Sequence, residues 1–71
     1  MRIISTTDIS KVGNDTVVYE SISLIEQFEI YAIIRCCKVV CETEVEAVEV
    51  IFSSSILKEA IKKYDELGGK I

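Results

Sequence analysis

Hydrophobic and polar residues alternate along most of the first two thirds of the chain. Residues 3–9 intersperse isoleucine with serine and threonine, and residues 16–24 place Ile22 and Leu24 on one side of an extended backbone. This alternation is typical of strands that bury one face. The segment 11–16 contains consecutive glycine, asparagine and aspartate, which favour tight turns, so a first hairpin is predicted.

The middle of the chain is apolar on both sides of a predicted strand. After a reversal expected at Glu26 and Gln27, residues 28–40 are rich in β-branched types, which favour strands. One side carries Phe28, Ile30, Ala32, Ile34 and Cys36, and the other carries Tyr31, Ile33, Cys37 and Val39. Such a strand requires cover on both faces.

A fourth strand is predicted over residues 44–52, where the alternation changes phase. Val45 and Ala47 lie on one side of the strand, whereas Val48 and Phe52 lie on the other. A β-bulge near Ala47 would reconcile the two phases.

The last segment changes to helical periodicity. Its apolar residues recur every three or four positions, at Ile56, Leu57, Ala60, Ile61, Tyr64 and Leu67. Ser54 or Ser55 is expected to cap the helix N-terminus, and Gly68 with Gly69 to end it. The complete pattern predicts one α+β domain over residues 1–71, a four-stranded antiparallel β-meander followed by one C-terminal helix (ββββα).

The middle segment also permits a second interpretation. Residues 23–26 fit a capping box, and several apolar residues of the following segment lie near helical spacing. The alternative fold is therefore ββαβα, with a helix around residues 24–40. Against it, Ile30, Ile33 and Ile34 would place apolar groups on the exposed side of that helix.

Composition indicates that the domain needs a partner. The chain has 71 residues, of which 49% are hydrophobic, and a domain this small buries a low fraction of its surface. One helix covers only one face of a sheet. We therefore expect a homodimer or larger assembly through the other face or through an edge strand, with Tyr31, Ile33 and Val39 as candidate interface residues.

Charge and residue types exclude several classes of function. The net charge of −4 disfavours nucleic-acid binding, which depends on lysine and arginine. Histidine is absent from the sequence, and with it the usual general base and the His-containing zinc sites. No glycine-rich phosphate loop occurs between a predicted strand and a helix. We expect no enzymatic activity and no cofactor.

Three cysteines, Cys36, Cys37 and Cys41, form the most noticeable cluster of chemically reactive residues. Neighbouring residues on a strand point to opposite faces, and residues four apart are separated by roughly 13 Å. This spacing favours buried structural thiols over a disulfide or a shared metal ion. A metal- or ligand-binding protein that uses this region remains an alternative hypothesis.

Glu42, Glu44 and Glu46 alternate, so on a strand their carboxylates would form one acidic row with steps of roughly 6.6 Å. The row could mimic a nucleic-acid backbone and occupy a basic site on another protein. A charged edge strand that prevents aggregation is the simpler explanation, and ion pairs with Arg35 and Lys38 would fit it. All three glutamates are candidate interface residues.

The chain shows neither an apolar stretch long enough to span a membrane nor the apolar core of a secretory signal. We therefore expect a cytoplasmic protein without membrane contact. The function that best fits the sequence is a non-enzymatic protein-interaction module, a small homo-oligomeric regulator or inhibitor that binds another protein.

Overall fold

The computed structural model of the protein describes residues 1–13 and 16–71. In these residues the chain forms an antiparallel sheet and one C-terminal helix, which confirms the predicted meander followed by a helix. The elements are β1 (Arg2–Asp8), β2 (Lys11–Val12), β3 (Val17–Gln27), β4 (Ile30–Val40), β5 (Glu44–Ser54) and α1 (Leu57–Glu66). The strand order is β1-β3-β4-β5, and the short β2 continues the β1 edge along β3. The predicted turn residues Asn14 and Asp15 lie outside the described residues.

The alternative fold with a helix around residues 24–40 is wrong. These residues form the end of β3, a turn and all of β4, and their register pairs Leu24 with Ile33 and Ile25 with Ala32. Both sides of this segment are apolar and β-branched, so a pleated sheet accommodates it better than a helix with one buried stripe.

The reversal between β3 and β4 lies at Phe28 and Glu29, two residues later than expected. Gln27 pairs with Ile30, so only these two residues turn the chain, and their φ angles are +52° and +64°. Two-residue hairpin turns with positive φ match the twist of the flanking strands. The sequence did not indicate a turn at these two positions, because Asn and Gly, the usual residues of such turns, are absent here.

The bulge in β5 lies at Ile51, whereas the sequence suggested Ala47. Ile33 pairs with Phe52, but the next residue of β4, Ile34, pairs with Val50, so Ile51 is the extra residue. Ile51 and Phe52 both pack against the core. The bulge thus adds a second apolar side chain of β5 to the core.

The core lies between α1 and one end of the sheet. Its fully buried members come from β3, β4 and α1 and are Ile22, Leu24, Ile33, Ala60 and Tyr64. Ala60 and Tyr64 are one helical turn apart, so they present a single stripe to the sheet. We call this side of the sheet the helix face and the opposite side the open face.

Tyr64 fastens the helix to the first strand and β3. Its buried hydroxyl donates to the Ile22 carbonyl oxygen (3.1 Å) and lies 2.7 Å from Thr7 Oγ1. The Lys70 amide donates to the same threonine oxygen (2.9 Å), and Ser5 donates to the Lys70 carbonyl (2.8 Å). The chain after the helix is therefore held along β1 by side-chain hydrogen bonds.

The two helix ends differ in how well they follow expectation. Ile56, not Ser54 or Ser55, is the N-cap residue, and it makes no side-chain capping bond. Ser54 Oγ instead accepts a hydrogen bond from the Ile56 N–H (3.0 Å) and donates to Glu59 (3.1 Å).

At the C-terminus Gly68 has φ +92°, as expected for the residue that ends a helix. Gly69 N–H donates to the Tyr64 carbonyl (2.8 Å) and Gly68 N–H donates to the Asp65 carbonyl (3.0 Å). This bonding pattern is that of a Schellman motif, which satisfies carbonyls that the helix leaves unpaired.

Candidate functional site

The open face of the sheet is the largest surface that no other part of the described chain covers. Side chains alternate along each strand, so away from the bulges a residue next to a core residue points to the open face. Val48 and Val50 of β5 are 71% and 66% exposed, and Tyr19 of β3 is 53% exposed. The open face therefore presents large apolar side chains to solvent on both of its halves.

The centre of the open face carries no charge. Across β3, β4 and β5, Ser23, Ile34 and Val50 form one row, and Ser21, Cys36 and Val48 form the next. The edge strand β1 extends these rows with Thr6 and Asp8, so the charge of Asp8 lies at the margin of the sheet. Ile25 and Ala32 extend the apolar region toward the turn between β3 and β4, although Ile25, like Ser23, is only 8% exposed. Rows of β-branched and small side chains make the kind of surface that packs against a second sheet.

Charged residues lie along one side of this uncharged centre. Lys38 Nζ forms an ion pair with Glu44 (2.6 Å), and this contact raises the pKa of Lys38. Glu46 lies opposite Lys38 in the β4–β5 register. A shallow hollow of about 420 Å³ spans the boundary between the two regions, and its lining includes Tyr19, Cys36 and Val48.

The expected row of three glutamates is only partly formed. Glu44 and Glu46 lie on the open face of β5, but Glu42 belongs to the turn before that strand. The β4–β5 connection begins at Cys41, so the strand is too short to include Glu42. The ion pair between Lys38 and Glu44 is the kind of contact expected for a charged edge strand.

The three cysteines do not converge. Cys36 lies on the open face opposite Val48, Cys37 lies on the helix face opposite Ala47, and Cys41 is exposed in the turn that follows. All three are free thiols. Across residues 1–13 and 16–71, no three acidic or thiol side chains are placed to hold a metal ion together.

The predicted interface residues of β4 lie on the helix face, which corrects their assignment to the uncovered side. Ile33 is fully buried beneath the helix, and Tyr31 packs against the same core. A hydrogen bond to the Glu26 carboxylate raises the pKa of Tyr31. Alternation showed that the two sides of β4 differ, but the apolar residues on both sides could not show which one the helix would cover.

Val39 lies on the helix face beyond the reach of the helix. It forms an apolar row with Val18 of β3 and Val45 of β5. A cluster of charged side chains separates this row from the core. In this cluster Arg35 donates hydrogen bonds to Glu20 and to Glu49, each at 2.8 Å. The hydrogen bond from Arg35 lowers the pKa of Glu20.

Sequence reasoning did not single out Ile34, Val48 and Val50 as surface residues. Their alternation with core residues was visible, but the position of the bulge was not. Because the bulge lies at Ile51, Val48 and Val50 point away from the helix, whereas Phe52 points to the helix face. A bulge changes the face of every residue on one side of it.

Comparisons with protein-family models, with curated proteins and with solved structures find no match to this chain. Within the described residues, no helix is long and apolar enough to cross a membrane.

Proposed function

We propose that the protein is a non-enzymatic protein-interaction module that works as a small homo-oligomer and regulates or inhibits another protein. The observation that carries this proposal is the area of its surface. The chain exposes 5142 Å². A folded monomer of this mass is expected to expose about 4,450 Å². The excess, about 700 Å², approaches the roughly 800 Å² that each partner buries in a standard protein–protein interface.

The shape of the molecule supports the same proposal. Its radius of gyration is 13.3 Å. A compact chain of 71 residues has a radius of gyration near 11 Å. The core beneath α1 includes Ile22, Leu24 and Ile33 but not the row of Val18, Val39 and Val45, so within the described residues that end of the sheet lies beyond the helix. Domains normally bury sheets between two layers, which an additional subunit would supply here.

The chemistry of the side chains favours binding over catalysis. Histidine is absent from the sequence. Glu20 and Glu49 are engaged with Arg35, and Glu44 is engaged with Lys38, so these carboxylates serve as ion-pair partners. General acid–base catalysis needs two groups with different environments in one cleft. The uncovered surface is instead an apolar sheet face.

The structure offers less support to the two alternative hypotheses. A thiolate metal site would require Cys36 and Cys37 to act together, but they lie on opposite faces of β4. A nucleic-acid mimic would require a continuous acidic row, whereas Glu42 is outside β5 and Glu44 is paired with Lys38. The proposal places the protein in the cytoplasm, where its free thiols would stay reduced.

Light scattering of the purified protein tests the proposal, with molar mass measured at several concentrations in low and high salt. Reducing agent is present throughout, because the exposed Cys41 could otherwise link chains by disulfides. We expect a dimer or larger assembly that persists in high salt, since burial of apolar surface is not screened by ions. A folded monomer at every concentration would contradict the proposal.

A further inference from the structure

We propose that two copies of this chain associate through their open faces, sheet against sheet, with Ile34 of the central strand β4 and Val48 and Val50 of the edge strand β5 in the contact. This inference rests on the proposed function and names both the surface and its occupant.

The area of the open face matches what a stable dimer buries. The molecule measures 41 × 20 × 15 Å along its principal axes, so one broad face presents roughly 800 Å². This figure agrees with the surface excess of about 700 Å² over a typical monomer. One partner of the same size that covers one face therefore accounts for the excess.

The distribution of charge favours a second copy as the occupant. In a two-fold symmetric interface, residues near the axis meet their own counterparts, so a charged centre would oppose like charges. Across β3, β4 and β5, the rows through Ile34 and Cys36 contain only serine, cysteine, isoleucine and valine, although the chain as a whole has a net charge of −4. The one charge in these rows is that of Asp8, which lies opposite Ser21 on the edge strand β1. Lys38, Glu44 and Glu46 lie beyond this centre and suit the polar rim of an interface.

The other uncovered surfaces are less suitable for self-association. The row of Val18, Val39 and Val45 is one residue wide on each strand and ends at the charged cluster around Arg35. Pairing of two β5 edges would bring together two strands that each carry three glutamates, Glu44, Glu46 and Glu49. Repulsion between like charges opposes this arrangement.

Adjacent cysteines on opposite faces provide a direct test. One variant, Cys37→Ser with Cys41→Ser, retains only Cys36 on the open face. The matched variant, Cys36→Ser with Cys41→Ser, retains only Cys37 on the helix face. The rate of reaction with a maleimide is measured for each across a range of protein concentrations, and light scattering on the same samples gives the oligomeric state.

We expect the Cys36 thiol to react at least about tenfold more slowly when the protein is dimeric, because the contact buries it, and the Cys37 rate to stay constant. If the protein is dimeric but Cys36 reacts equally fast at all concentrations, the interface lies elsewhere and only this inference fails. If the variants and the unmodified chain are all monomers, the proposed self-association fails as well.

A pair of lysine substitutions on β5 gives an independent test. Val50→Lys introduces a charge within the proposed contact, whereas Val45→Lys makes the same change on the helix face of the same strand. We expect the first to weaken dimerisation roughly 30-fold or more and the second less than about threefold. Circular dichroism establishes that both variants fold. Equal effects of the two substitutions would overturn the proposal.

Discussion

The two faces of this sheet are built from the same strands and from similar residues, yet α1 covers only one of them. Ile33 and Ile34 are neighbours on β4, but Ile33 is fully buried under α1 whereas Ile34 is only partly buried on the open face. The helix contributes Ala60 and Tyr64 to the core. The difference shows that apolar character alone does not identify the side of a strand that becomes the core.

The covered face also differs in its hydrogen bonding. The Tyr64 hydroxyl, the side chain of Thr7 and the backbone of Lys70 form one connected group on the helix face. On the open face, the hydroxyl groups of Thr6 and Ser23, on the neighbouring strands β1 and β3, form a hydrogen bond with each other (3.0 Å). Specific polar contacts thus fix the position of the helix, and the open face retains a surface free to pack.

Alanine substitutions at the two neighbouring isoleucines should give the largest difference in stability between the two faces. We expect Ile33→Ala to lower the free energy of unfolding by about 3 kcal/mol, because it leaves a cavity in the core. Ile34→Ala should cost about 1 kcal/mol or less in the monomer, since its side chain is already partly exposed. Denaturant unfolding at low protein concentration measures both, and similar losses would show that the two faces are equally buried.

Alanine at the two glycines after the helix tests how the covered face is closed. A Cβ at Gly69 would overlap the Tyr64 ring, so Gly69→Ala should displace the tyrosine and cost about 2 kcal/mol. Gly68→Ala meets no neighbouring atom but has to adopt φ +92°, which costs about 1 kcal/mol. Thermal unfolding compares them, and a harmless Gly69→Ala would indicate that Tyr64 is not tightly held.

The register that assigns residues to the two faces depends on the turn at Phe28 and Glu29. Replacing them with Asn and Gly, which adopt positive φ more readily, should raise the free energy of unfolding by about 1 kcal/mol. Phe28→Ala is the control, because it removes the aromatic ring of a residue that is 87% exposed. Alanine, like phenylalanine, does not favour the positive φ of this turn. A gain from the control alone would point to the aromatic ring as the source of any instability.

The smallest expected effect on stability concerns the cluster of charged side chains around Arg35, next to the core beneath α1. The hydrogen bond from Arg35 lowers the pKa of Glu20 below its ordinary value of 4.5. The pair therefore stabilises the fold above pH 4.5, and this contribution is lost as the pH falls through the lowered pKa. Denaturant unfolding between pH 7 and pH 3 should show a weaker acid dependence for Glu20→Gln than for the unmodified chain. An unchanged dependence would contradict this role.

Most of the fold could be predicted from the sequence because it depends on local periodicity. Alternation located the strands, the change to helical spacing located α1, and Gly68 marked its end. The reversal at Phe28 and Glu29 was misplaced because neither residue favours positive φ. The bulge was predicted at the wrong residue because its position at Ile51 is defined by the pairing of β5 with β4, which the sequence alone does not show.

The candidate interaction surface was predicted only in outline. Composition indicated surplus apolar surface, and the structure has a broad uncovered face, but Ile33 and Tyr31 belong to the core and Glu42 to a turn. Ile33 and Tyr31 were assigned to the wrong face because the period of a strand describes two faces without ranking them. Glu42 was misplaced because β5 begins only at Glu44.

The sequence by itself therefore determined the order and type of the elements, through the periods of its apolar residues. Tertiary structure decided which face of the sheet is covered. That choice depends on where α1 docks, and docking depends on contacts between residues far apart in the chain, such as Tyr64 with Thr7. Local periodicity carries no information about such distant pairs, so the identity of the open face became visible only in the folded chain.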